Sequence, residues 1–140
     1  MDSKLTKVLQ DIWIMTSDGI VLFSRVFDKQ LDEQLFGALL SALNSFAKEI
    51  TTEGLSNFEL SKKRYILMKS NNIFFIGNSD NSAKEKKLIE AINKITEKFF
   101  EKFTPHFLNN WDCDVSVFEG FEKEIDEALQ DPIKGFWKGF

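Results

Sequence analysis

The residue types that most often do chemistry are sparse in this sequence and poorly grouped. His106 is the only histidine and Cys113 the only cysteine, with Asp112 and Asp114 on either side of the thiol. A zinc or other transition-metal centre draws several ligands from His, Cys and carboxylates, and these residues are one grouping that could be drawn as such. The preferred reading is an ordinary loop histidine and a buried thiol. A Cys113 nucleophile activated by His106 meets a further obstacle, because an acidic surrounding disfavours the thiolate. A single cysteine also excludes an intrachain disulfide and a cysteine-based zinc site. Gly19, Gly37, Gly54 and Gly77 stand apart from one another, so no glycine-rich loop is available to cradle a phosphate. The chain is therefore not expected to be a GTPase itself. Carboxylates are plentiful but fall on expected helix surfaces, which does not suit paired-carboxylate hydrolysis. The expectation is a protein that is not an enzyme, with no cofactor and no metal.

Composition narrows the class. The 140 residues suit one domain, which buries roughly two-thirds of the surface its unfolded chain exposes. Hydrophobic residues make up 43%, including 15 Phe, which is too apolar for a disordered chain. The net charge of −4 makes nucleic acid a poor partner, since phosphate contacts need a concentrated positive field. Residues 1–10 are polar and mixed in charge, unlike a signal peptide. No apolar run approaches the ~20 residues of a membrane span, and neither end carries a lipidation box. The expected location is cytoplasmic.

Hydropathy patterning then gives the elements. Residues 9–27 predict a β-hairpin: Ile12 to Met15 form a continuous apolar run, Ile20 to Phe27 alternate, and Ser17-Asp18-Gly19 makes the turn. Residues 31–50 predict a helix, capped by Asp28 or Asp32 and stopped near Gly54. Its apolar positions cover an arc of roughly 180° at 100° per residue, wider than a core-facing stripe needs. Residues 55–61 alternate like an edge strand. Tyr65–Met68 and Ile73–Ile76 are apolar on both faces, like central strands, with Asn71-Asn72 as the turn between them. A second helix is expected over 83–103, opened by a capping box at Ser82-Ala83-Lys84-Glu85 and stopped by Pro105. Residues 106–115 read as irregular. A third helix is expected over 117–130, opened by a capping box at Ser116-Val117-Phe118-Glu119, with Phe118, Phe121, Ile125 and Leu129 inward. Residues 1–130 form the domain, and 131–140 an aromatic tail.

The burial pattern makes the first, fourth and fifth strands central, and the second and third edges. The order 2-1-5-4-3 meets every one of those assignments and keeps each hairpin pair adjacent. The fold class is thus α+β: a five-stranded antiparallel sheet with one helix on one face and two on the other. The hairpin Ile12-Trp13-Ile14-Met15-Thr16-Ser17-Asp18-Gly19-Ile20-Val21-Leu22-Phe23-Ser24-Arg25, followed by the helix, the meander and the closing helices, resembles the longin domain within the wider longin, roadblock and SNARE-like group. Two helices after the sheet and at most a short turn before it favour longin over roadblock. No heptads follow, so a membrane-fusion role is not expected. The resemblance implies an isolated interaction subunit. Such a subunit forms a homodimer, or a heterodimer with another longin or roadblock-like domain, and docks small GTPases or membrane-trafficking adaptors.

Three surfaces are expected to serve partners. The wide apolar arc of helix 31–50 reads either as packing on a broad sheet or as one flank, carrying Phe36, Leu40 and Ala47, that meets a protein partner. The edge strand, through Phe58 and Leu60, is the second, since unpaired backbone can extend a sheet across an interface; Lys62, Lys63 and Arg64 follow it. The third is the tail, where Phe136, Trp137 and Phe140 sit among lysines. It is expected to fold back on the domain, to anchor in a partner groove, or to make peripheral contact with a membrane. The alternative function is a small-ligand sensor, with a pocket between sheet and helix lined by Trp13, Phe23, Phe74 or Phe99.

Overall fold

Residues 11–25 pair as the expected hairpin, β1 (Asp11–Thr16) against β2 (Val21–Arg25). Gly19 closes its turn at φ +101°, where a side chain would be strained. The Thr16 hydroxyl bonds the Asp18 carboxylate and accepts from the Ile20 amide. Pairing steps from Ile14–Phe23 to Met15–Val21, which leaves Leu22 as a bulge. The computed structural model describes residues 9–26, 32–60, 62–80 and 84–128.

Strands β3 (Asn57–Leu60), β4 (Lys63–Ser70) and β5 (Ile73–Asp80) form an antiparallel meander. Asn71 and Asn72 both take positive φ in the β4–β5 turn, as a two-residue hairpin loop requires. The β5 strand then pairs antiparallel with β1, and the sheet order is β2-β1-β5-β4-β3. The strands that read as apolar on both faces are the three inner ones.

Helix α1 (Glu33–Lys48) crosses from one edge of the sheet to the other in the chain order. Asp32 caps it, its carboxylate accepting from the Gln34 and Leu35 amides. Helix α2 (Glu85–Lys102) starts later than expected: its N-cap is Lys84, which supplies no side-chain cap bond. Pro105 does not simply stop a helix. It sits in the first turn of a new one, α3 (Pro105–Asn109), where its missing N–H is no loss, and the Thr104 hydroxyl caps the Phe107 amide. The segment expected to be irregular therefore holds a short helix.

The third expected helix divides into a 3-10 segment, Val115–Phe121, and α4 (Glu122–Ala128). Its N-cap is Asp114 rather than Ser116; the Asp114 carboxylate accepts from both the Ser116 amide and the Ser116 hydroxyl. A 3-10 helix stacks every third residue, and Phe118 and Phe121 are both fully buried at that spacing. Ile125, four positions on, continues the buried line at α-helical pitch.

Two cores result, one on each sheet face. Ile12, Ile14 and Phe75 face Leu88, Ile92, Ile95 and Phe99 of α2, together with Phe118, Phe121 and Ile125. Gly77 admits α2 there: a Cβ would fall 2.6 Å from Leu9 Cδ1 and 2.9 Å from Ile92 Cδ1. On the other face Trp13, Met15, Leu67, Phe74 and Ile76 meet Phe36 and Leu40 of α1.

Candidate interaction surface

Helix α1 carries three kinds of side chain, sorted by direction. Phe36, Leu40 and Asn44, four residues apart, point into the core. Gln34, Gly37 and Ser41 meet the hairpin. The Gln34 side-chain amide accepts from the Val21 amide at 3.1 Å and donates to the Val21 carbonyl at 3.2 Å, and the Ser41 hydroxyl donates to the Ser17 carbonyl at 3.0 Å. Gly37 lies so near that a Cβ would overlap the Gly19 carbonyl and fall 2.9 Å from Val21 Cγ2. The remaining stripe, Leu35, Leu39, Leu43, Phe46 and Ile50, stands in solvent with between 39% and 73% of each residue exposed. At 100° per residue Leu35, Leu39, Leu43 and Phe46 fill an arc of only ~80° of the helix, and Ile50 follows in the turn just past its end. They are the middle of the helix's apolar arc, and the core takes one margin of it.

This placement corrects the expected partner flank. Phe36 and Leu40 are buried against the sheet, Phe36 with its ring 4.3 Å from that of Trp13, and Ala47 is half-buried. The solvent side belongs to the five residues above. A signal was present in the sequence. Gln34, Gly37, Ser41 and Asn44 recur at helical spacing, and small or amide residues mark a side where another backbone comes close. That side turns the apolar centre outward.

Beyond α1 the same sheet face is floored by aromatic rings. Tyr65 stacks on Phe58 at 4.7 Å and 7° and lies 6.0 Å from Trp13. Phe58 is half-buried on the edge strand β3, and Leu60 ends that strand opposite Lys63. The Leu67 amide also donates to the Ser56 carbonyl, so the pairing runs on past β3. No strand pairs with the outer side of β3 among the described residues. The neighbouring cations have partners: Lys63 lies 3.8 Å from Asp11, and Arg64 3.6 Å from Glu59. At the far end of α1, Lys69 donates to the Glu53 carbonyl at 2.7 Å. Burial and the nearby Lys48 push its pKa down, and Glu53 partly offsets this. Phe136, Trp137 and Phe140 lie outside the described residues.

The residues weighed for a ligand pocket do not converge. Trp13 and Phe74 belong to the core under α1, whereas Phe99 and Phe23 pack on the opposite face, Phe23 edge-on to Phe121 at 5.6 Å. The sheet separates the two pairs. The acidic loop also differs from expectation at Cys113, which is exposed and takes φ +70° rather than being a buried thiol. Asp114 is held below the usual carboxylate range by the hydroxyl and amide of Ser116. Asp112 accepts from the Asp114 amide, and His106 is exposed on α3. Among the described residues no three His, Cys, Asp or Glu side chains are grouped to hold a metal. No described helix is long and apolar enough to cross a membrane.

No protein family and no curated protein matches the sequence. Solved structures do resemble the fold. MglB of Myxococcus xanthus superposes with a TM-score of 0.52 at 18% identity, over 71% of this chain and 91% of that one. A roadblock/LC7 domain from Streptomyces avermitilis gives 0.50 at 13% identity, over 66% and 87%. A chain in a homology model of the full-length AP-3 complex, in a stretched open conformation, gives 0.60 at 11% identity, over 89% and 82%.

Proposed function

We propose, with the longin/roadblock-like fold of this chain as the premise, that it is a non-catalytic protein-interaction module that pairs with a second domain of the same fold through α1 and the β3 edge. The observation that carries this reading is the outward stripe Leu35, Leu39, Leu43, Phe46 and Ile50. Monomeric proteins rarely keep such a contiguous apolar strip in water. One of the resembling chains is itself part of a multi-protein assembly, the AP-3 complex.

Magnitudes say that the stripe does not act alone. Completing the burial of five part-exposed large side chains is worth on the order of 5 kcal/mol. Association loses an estimated ~4–15 kcal/mol of translational and rotational freedom. A stable pair also buries roughly 800 Å² on each partner, more than one face of a 16-residue helix offers. The additional surface is the β3 edge with Phe58, whose backbone can pair across the interface. Docking of a small GTPase or of trafficking machinery onto the assembled pair is the finer reading, and it rests on the longin resemblance.

Sedimentation across a wide range of concentration tests the pairing. A reversible dimer is expected, or capture of a related domain as partner. A variant with Leu39→Lys and Phe46→Lys is expected to stay folded and to lose the association, since both positions are in solvent. A strictly monomeric chain at high concentration that captures no related domain would refute the proposal.

A further inference from the structure

The opposite edge of the sheet carries a second feature, away from the surface proposed for pairing. Strand β2 has β1 on one side and no strand on the other among the described residues. Along that open side lies a cleft of about 330 Å³. Its floor is β2 from Val21 to Ser24, one wall is the first turn of α1 at Gln34, and the other is Val115, Glu119 and Glu122. From these features we infer that the cleft receives an extended, lysine- or arginine-bearing segment of a partner protein, added as a strand to β2.

Three observations support this occupant over others. First, the outward backbone of β2 is already engaged in strand-like fashion at one point. The Gln34 side chain meets both the amide and the carbonyl of Val21, as the backbone of a neighbouring strand would. Second, the Ser24 hydroxyl is buried without a hydrogen-bond partner, in the floor of the cleft. A buried hydroxyl left unpaired is costly, so β2 gains if pairing with a peptide shifts the strand enough to give that hydroxyl a backbone partner. Third, the charge is one-sided. Among the described residues the ionisable side chains lining the cleft are Glu33, Glu119 and Glu122, and neither Glu119 nor Glu122 makes an ion pair with a described residue. Arg25, at the end of β2, is occupied by Asp126. A floor of Val21, Leu22, Phe23 and Ser24 beside an acidic wall matches an alternating segment, which sets apolar residues on one face and cations on the other.

The test uses the full chain and a short blocked peptide of Lys-Val repeats, read by fluorescence anisotropy and by hydrogen exchange at Val21–Arg25. The expected result is binding that weakens with salt and slows exchange in β2. A Glu-Val peptide and a proline-interrupted Lys-Val peptide are expected not to bind. Reversing both wall charges, Glu119→Lys with Glu122→Lys, should weaken binding by about tenfold. Gln34→Ala, which frees the Val21 backbone, should strengthen it. Absence of binding, unchanged exchange in β2, indifference to the charge reversal, or loss of binding in Gln34→Ala would each overturn the inference. So would a gain in affinity on Lys134→Glu with Lys138→Glu, because the occupant would then be this chain's own tail rather than a partner.

Discussion

Asn78 is fully buried in β5 and ties down Asp11 on β1. Its side-chain oxygen accepts from the Asp11 amide at 2.9 Å, and its nitrogen donates to the Asp11 carboxylate at 3.0 Å. Asn78→Ala takes one hydrogen bond from the Asp11 amide and one from its carboxylate, which keeps Lys63 at 3.8 Å, so a loss of roughly 1–3 kcal/mol is expected in urea unfolding. A second residue-scale expectation concerns pH. Lys102 donates to Glu124 at 3.1 Å and holds its carboxyl below the ordinary value of 4.5. A carboxylate depressed in the folded state favours folding above its ordinary value, and that contribution fades as the pH falls through the depressed one. The stability gap between the native chain and Glu124→Gln should therefore be widest near neutrality and shrink below pH 4.5. Neither pair was legible in the sequence. Asn78 lies 67 positions from Asp11, and the expected central strand stops at Ile76, before the buried Gly77, Asn78 and Ser79. A polar residue reads as an end to burial until its cross-strand partner is known.

At the scale of elements, the setting of α1 matters most. Its existence follows from helical spacing and from the Asp32 cap, but its rotation about its own axis is set by Gly37, which lets the helix backbone approach Gly19 and Val21. Gly37→Ala is expected to push the helix away. Overpacking of this kind costs typically ~1–3 kcal/mol, which would appear as a lower thermal midpoint, with faster amide exchange around Gly19 and Val21. If the midpoint stayed put, the close approach would not be what orients α1. The 3-10 segment makes a related point. The apolar spacing of Phe118 and Phe121 was visible in the sequence, though the cap was expected at Ser116 rather than Asp114, and a spacing of three fits either helix type. The choice depends on packing against Phe99 and Phe103 of the preceding segment, whose rings meet Phe118 at 5.9 and 4.8 Å.

For the molecule as a whole, the two sheet faces differ in how completely they are covered. Among the described residues, one core is closed by α2, the 3-10 segment and α4, and the other is roofed by α1 alone, with Tyr65 and Phe58 half-buried beside it. A partner that completes the thinner side must stabilise the fold by mass action. The thermal midpoint of the native chain should therefore rise with protein concentration, and that rise should vanish in the Leu39→Lys, Phe46→Lys variant. A midpoint independent of concentration in both would place the stripe outside any self-association.

What the sequence determined by itself was the set of strands, their order across the sheet and the stacking of helices on two faces. Those follow from periodicity, from turn residues such as Gly19, Asn71 and Asn72, and from which strands are apolar on both sides, all of which are written within a few neighbouring residues. Contacts made on folding settle which side of α1 meets the sheet, that Phe36 and Leu40 are core while Leu39 and Phe46 face water, and that Gln34 and Glu119 gather beside Ser24 on β2. The physical reason is separation along the chain. A helix's apolar arc says how much of it is hydrophobic, whereas the direction that arc faces is set by contacts with backbone far away in sequence.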